Sequence, residues 1–349
     1  MAGMRPVLIF CTFVSAASCL MAQTATPSTP MPKDPAAILQ LAQEENNIDM
    51  DGLKPWHLKA TFQVFDEKGK PTETATLDEI WVGVKRQKRT WSSPSFNQVE
   101  IVNESGRFRS GDKNEVPMLL EEARRTMVHP MPTVGEIAGT QLDLQKKRFG
   151  KVDLNCVMLS QPIKGVTHAP LGLFPTYCFD IDRPTYRVGF EYGDTTYVTN
   201  QIGTFLGRSV AVKDGVSVKS VKRVEGTVDF LGSIPEPEDQ TFAAPPEAMD
   251  ISSKAVAISP GVAAGYRLNG ADPIYPQAAK EAHIQGTVIM RAIIGRDGRI
   301  HALRVQSAND ADLAISAIIA VRGWTYKPYL LNGVPTEVDT MITVNFTNR

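Results

Sequence analysis

Five histidines, His57, His129, His168, His283 and His301, are the first candidates for metal binding or acid–base work. No two stand at an HxH or HExxH spacing, so no local metal-ligand pattern is present. His301 falls on a strand-like run and reads as a surface or internally satisfied histidine. Ser110-Gly111-Asp112-Lys113 has the S-x-x-K form of a serine-nucleophile motif. That chemistry needs a helix, which Gly111 weakens, and no K-T-G follows. G-x-S-x-G, a P-loop and G-x-G-x-x-G are absent. Carboxylates are plentiful, but spacing alone gives none an acid–base role. Glu121-Glu122 with Arg124-Arg125 reads as ordinary helix-surface pairing. Lys85, Arg86, Lys88 and Arg89 read as a solvated strand face. No catalytic centre, metal or cofactor is expected.

Charge excludes one partner class. Lys and Arg number 37 and Asp and Glu 38, a formal net charge of -1, which gives no electrostatic reason to expect nucleic acid. The N-terminus carries an export pattern over residues 1–22. Arg5 supplies the positive region, and Val7 to Ala17 an apolar stretch too short to span a bilayer core. Cleavage after Ala22 leaves Leu20 and Ala22 at the positions a signal peptidase reads. A competing reading takes Ala16-Ala17-Ser18-Cys19 as a degraded lipobox that would anchor the chain through Cys19. If the signal is removed, Cys156 and Cys178 remain, and in an exported chain such a pair is expected to bond. Each sits in a strand-like run, and the Gly- and Pro-rich stretch between can return the chain antiparallel. Closing that loop would stabilise by about 3 kcal/mol. A redox or metal pair has no CxxC spacing behind it.

These residues must be held by elements, and the chain divides into segments. Residues 23–35 are a Thr-, Pro- and Ser-rich lead-in. Pro35 to Glu45 has helical spacing. Trp56, Leu58, Ala60, Phe62 and Val64 alternate on one strand face. Short β-rich runs continue to residue 232, interrupted by a helix over Val116 to Thr126. The fold class is α+β, with an antiparallel β-rich N-terminal domain over 36–232, a half-barrel-like sheet with one or two helices. Residues 233–262 form a Pro-rich linker, semi-stiff and partly extended, with the boundary near Pro245. Residues 263–349 form a small α/β domain ordered helix–strand–strand–helix–strand. Val288, Met290, Ala292 and Ile294 lie on one strand face. Arg296-Asp297-Gly298 signals a hairpin. Leu313, Ala314, Ala317, Ile318 and Val321 follow at helical spacing. Val338, Thr340, Ile342, Val344 and Phe346 form one face of the last strand; Glu337, Asp339, Thr343 and Asn345 form the other.

Particular residues of that last domain resemble the TonB C-terminal family. Tyr275-Pro276 and Gly286 match its opening, and Asp297-Gly298 its hairpin. Trp324 through Pro328, then Asn332-Gly333, match its most recognisable stretch. In that family the domain captures a short segment of an outer-membrane transporter, which adds as a strand to the sheet edge. The resemblance therefore implies an envelope partner, held at an edge strand comprising Thr336, Val338, Thr340, Ile342, Val344 and Phe346. Glu337 and Asp339 would guard that edge against unwanted pairing. The sequence departs from an energy transducer in lacking a convincing transmembrane anchor and the long charged spacer, so energy transduction does not follow.

The N-terminal domain, with Trp81, Trp91, Phe96 and Phe108 on strands, more weakly resembles the LolA-like lipoprotein-carrier fold. That fold implies an apolar hollow for an acyl or lipid ligand, lined by residues without charge. Two readings follow: a non-enzymatic periplasmic protein whose C-terminal domain binds by strand addition, or a lipid carrier that uses that domain to dock.

Overall fold

The computed structural model describes residues 31–347 except 113, 164, 165, 167 and 168. The export signal, Cys19, Lys113 and His168 lie outside the described residues. Helix α1 (Pro35–Asn46) starts where Asp34 accepts the Ala37 amide at 2.9 Å and Pro35 sets the first turn. It buries Ile38, Leu39 and Ala42.

The large sheet is an antiparallel meander. β1 (Trp56–Phe65), β2 (Pro71–Gly83), β3 (Arg86–Ser92), β4 (Asn97–Asn103) and β5 (Gly106–Gly111) follow one another by hairpins. Two helices intervene, α2 (Met118–Val128) and the single-turn α3 (Val134–Ile137). A second run follows: β6 (Gln141–Phe149), β7 (Val152–Ser160), β8 (Thr176–Asp180), β9 (Tyr186–Glu191), β10 (Thr195–Phe205), β11 (Arg208–Val218) and β12 (Val221–Ser233). β12 pairs with β1 and joins the two runs into one sheet. Trp56, Leu58, Ala60 and Phe62 are buried, as their alternation requires, and α2 packs on them through Leu120, Ala123, Met127 and Val128. Helix α1 touches both β11 and β6, which have four strands between them. A flat sheet would hold such strands roughly 24 Å apart, wider than a helix, so the sheet curls round α1. It remains open at both ends. Cys156 and Cys178 stand opposite each other on β7 and β8 and are disulfide-bonded, as expected.

The stretch between the sheets is bound along much of its length. Phe242 is buried under the Arg86 guanidinium, 4.9 Å from its ring centre. β13 (Met249–Asp250) pairs with β5, and the Ile251 amide donates to the Arg107 carbonyl at 2.7 Å. β14 (Val256–Ala257) then joins the second sheet, and α4 (Pro260–Gly265) follows.

The last part of the chain has the expected element order. After β15 (Arg267–Asn269) come α5 (Gln277–Glu281), β16 (Gly286–Ile294), β17 (Ile300–Ser307) and α6 (Ala311–Arg322). Two short strands, β18 (Thr325–Tyr326) and β19 (Leu330–Leu331), precede β20 (Val334–Pro335) and the long β21 (Val338–Phe346). The sheet order is β14-β21-β16-β17. Asp310 caps α6 by accepting the Asp312 and Leu313 amides at 2.9 and 3.0 Å. Leu313, Ala314, Ala317, Ile318 and Val321 are buried against Val288, Met290, Ala292, Val344 and Phe346.

That core runs without a break into the large sheet's domain through Met158, Ile163, Leu173, Phe174 and Tyr192. The β9–β10 turn makes close contact with α6. Tyr192 and Gly193 have φ of 54° and 77°, and a Cβ on Gly193 would stand 3.1 Å from Ile319. Beside it, Arg322 donates to Asp194 at 2.9 Å, with both side chains largely buried. No described helix is long and apolar enough to cross a membrane.

Candidate functional site

β21 has one fully paired side and one partly paired side. Its register with β16 is continuous from Val338↔Ile294 to Phe346↔Gly286. In an antiparallel ladder the N–H and C=O of one residue point to the same side and alternate along the strand. The Glu337 and Asp339 carbonyls accept the Val256 and Ile258 amides at 2.8 and 3.0 Å, so these residues face away from β16. Met341, Thr343 and Asn345 share that parity, and among the described residues no strand pairs with them on the side away from β16. They form an open row of main-chain donors and acceptors.

The residues singled out from sequence as the partner-binding edge sit differently. Val338, Thr340, Ile342, Val344 and Phe346 are buried on the face under α6, and Thr336 is buried beside them. Their alternation marks the core face, and by parity their main chain is turned to β16. An added strand would therefore meet the main chain of the opposite set. Asp339 is taken up by Arg291 across the sheet, at 2.9 and 3.1 Å. Glu337 borders a charged cavity.

The family-motif positions are structural supports. Tyr275 donates its hydroxyl to the Ile284 carbonyl at 2.6 Å and meets the Phe346 ring edge-on. Pro276 precedes α5 as its cap. Gly286 leaves room for Asn309, whose Oδ1 would stand 1.9 Å from a Cβ there. Gly298 has φ of +77° and lies so close to Tyr326 that a Cβ would stand 1.9 Å from its carbonyl oxygen. Asp297 accepts the Arg299 amide at 3.0 Å and pairs with His301 at 3.2 Å. Burial opposes both charges, yet the contact holds the Asp297 carboxyl below and the His301 imidazole above their ordinary ranges. Trp324 donates to the Ala271 carbonyl at 2.8 Å under the Arg267 guanidinium. Asn332 and Gly333, both at positive φ, turn β19 into β20, with Pro328 in the segment leading to it.

Where the two sheets approach, a cavity of about 210 Å³ is bordered by Arg89, Arg107, Arg109, Glu115, Arg296 and His301. This corrects two sequence expectations. Arg89 shares the inward face of β3 with Trp91, and it donates to buried Glu79 at 2.8 Å. Arg86, on the other face, holds Glu236 and Asp239. Only Lys85 of that basic run is broadly exposed in its ion pair. The second correction is on α2. The helix lies in the curl of the sheet, so Arg124 is buried and donates to Glu79 at 2.6 and 2.7 Å as well as to Glu121 at 2.8 Å. Burial pushes the Glu79 carboxyl up, but Arg124 and Arg89 outweigh it and hold it at about 2. Glu122 instead is raised to about 7, because burial and the nearby Glu191 and Glu121 outweigh Arg125. The curl of the sheet, which the LolA-like resemblance implies to be an apolar hollow, takes in α1 and α2 and carries these ion pairs, and the cavity beside α2 is lined mainly by charged side chains.

Ser110 and Gly111 end β5, a strand rather than the helix that an S-x-x-K nucleophile needs. His57 and His129 each pair with a different carboxylate, Asp78 and Asp49.

Together these features define an open antiparallel half-barrel that carries a TonB-type C-terminal module. Residues 271–347 match the family model for the Gram-negative bacterial TonB protein C-terminal. No curated protein matches the sequence. Among solved structures, the chain is similar to a LolA superfamily protein from Nitrosomonas europaea, with 10% identity and a TM-score of 0.41 over 60% of this chain and 97% of that one. It is also similar to a DUF1329 family protein from Desulfovibrio piger, with 10% identity and a TM-score of 0.38 over 60% and 98%. For MucB the values are 10% and 0.28 over 64% and 66%.

Proposed function

We propose that this is a non-enzymatic envelope protein whose C-terminal module binds an extended partner segment by strand addition at β21, as a TonB-family component of outer-membrane transport. The observation that carries this reading is the outward row of Met341, Thr343 and Asn345 on a module matched to the TonB family. Residues 1–22 serve as the export signal to the periplasm, 36–232 as the β-domain, 233–262 as the linker and 263–349 as the binding module. Mass spectrometry of the mature N-terminus distinguishes cleavage after Ala22 from lipidation at Cys19. A lipid carrier is a second reading, which the open half-barrel favours, although α2 and buried ion pairs occupy the curl of the sheet.

The test uses Thr343→Pro, which removes one outward amide while leaving the bonds to β16 in place. Partners captured from envelope extracts by the wild type should be lost with this variant, given an unchanged circular dichroism spectrum. Their retention would refute strand addition at β21.

A further inference from the structure

The receptive edge is already partly occupied by the chain itself. β14 lies on β21 in parallel register, Val256 opposite Val338 and Ala257 opposite Asp339. The Ile258 carbonyl accepts the Thr340 hydroxyl at 3.0 Å, and the ladder ends there. Ser259 then caps α4, which runs beside β21. At its other end the same segment is fixed to the large sheet through β13. Between the two attachments Arg296 closes on it. Arg296 reaches from the β16–β17 turn and donates to the Ile251 and Ser253 carbonyls at 3.0 and 3.1 Å and to the Ser253 hydroxyl at 3.2 Å. Its guanidinium is nearly buried and lies 3.7 Å from Glu115.

We infer that residues 253–259 are an internal competitor for the β21 edge, clasped by Arg296, and that they show the chemistry of the partner segment. This rests on the strand-addition reading and specifies it. The partner runs parallel to β21. It carries apolar, β-branched side chains at alternate positions, as Val256 and Ile258 do, with a small residue between them, as Ala257 is. Val256 and Ile258 are half-buried, and Ile258 packs on the module's core, whereas Ala257 is exposed. No charged residue lies between 255 and 258, so recognition there uses main-chain bonds and shape. A partner must displace this segment before it can use the whole edge, and any change that loosens the clasp favours binding.

The experiment uses the full mature chain and a fluorescent peptide of residues 253–259 as probe. Anisotropy gives its affinity for wild type, Arg296→Ala and Val256→Pro. Val256→Pro removes the amide that bonds to Glu337 without touching the module. Both variants should bind the peptide at least tenfold more tightly than wild type, and a peptide carrying Val256→Pro should not bind any of them. Hydrogen exchange should show protection at the outward β21 amides of Asp339 and Met341 when the peptide is bound. Equal affinity for wild type and both variants, with that protection present, would overturn the internal competitor and leave strand addition standing. No binding to either folded variant would overturn the inference together with the strand-addition reading on which it rests.

Discussion

Replacing Asp214 by Asn should make the protein more stable, by an amount that grows with pH. Asp214 is fully buried on β11, where its Oδ1 accepts the Gly226 amide at 3.0 Å. Its Oδ2 has no hydrogen-bond partner among the described residues. Burial pushes the carboxyl up to about 8, against the lowering effect of the Gly226 hydrogen bond. The unfolded chain ionises near 3.8. A carboxyl raised on folding costs nothing below its unfolded value, and its cost rises until the folded value is reached. At 1.36 kcal/mol per unit, the cost is about 4 kcal/mol at pH 7 and levels off near 6 kcal/mol above pH 8. Asparagine keeps the acceptor for Gly226 and never ionises. Urea unfolding can be followed by tryptophan fluorescence, because Trp56, Trp81 and Trp91 lie in the same sheet's core. The gain of Asp214→Asn over wild type should be near zero at pH 4 and grow steadily to pH 8 with an unchanged slope in urea. An equal difference at pH 5 and pH 8 would show that Asp214 does not take up a proton on folding.

Other substitutions test the supports of the two sheets. Glu79→Gln leaves buried Arg124 with only the more exposed Glu121 carboxylate and should cost about 3 kcal/mol at pH 7 by urea unfolding. Because Glu79 is held at about 2, its contribution in the wild type is complete above about pH 4.5 and disappears as pH falls towards 2; the variant should lack that component. Gly298→Ala forces a side chain into a +77° φ against the Tyr326 carbonyl and should cost about 2 kcal/mol or more, measured as faster amide exchange in β18. Asp194→Ala removes the carboxylate of Arg322 at the β9–β10 turn and should speed proteolytic cleavage within residues 233–262; an unchanged rate would show that this pair does not hold the module.

The elements that pack on one face were legible in the sequence. Trp56 to Phe62 and Val288 to Ile294 alternate, and Leu313 to Val321 repeat at helical spacing, because each has one buried side. The same rule misled where an element has two covered sides. Arg89 and Arg124 read as surface charges because charged residues are normally solvated. Arg124 is buried because the sheet curls round α2 and supplies Glu79 from β2, and Arg89, only partly exposed, turns inward to the same carboxylate from the adjacent strand; no local pattern records that curl. The alternation of the last strand marks its faces, but the positions expected to form the partner edge are those whose main chain turns to β16. A strand pairs through main-chain groups that lie in the plane of the sheet, and their direction depends on which neighbour each residue bonds. That follows from the β14 and β16 registers, which sequence spacing does not give. Arg296 carried no signal beyond its place in a hairpin turn.

The attachment of β13 and β14 has a consequence for distance. Each is a two-residue strand, so each is a small fraction of the contacts that hold the sheets together. The chain from Ser233 to Ser259 would become free tether only if these strands, the Arg86 and Phe242 contacts, the Arg296 bonds and the core shared with the large sheet's domain all came apart. Drawn straight, it spans at most roughly 90 Å. Under the strand-addition proposal, that length is the upper bound on how far the module could reach from the half-barrel.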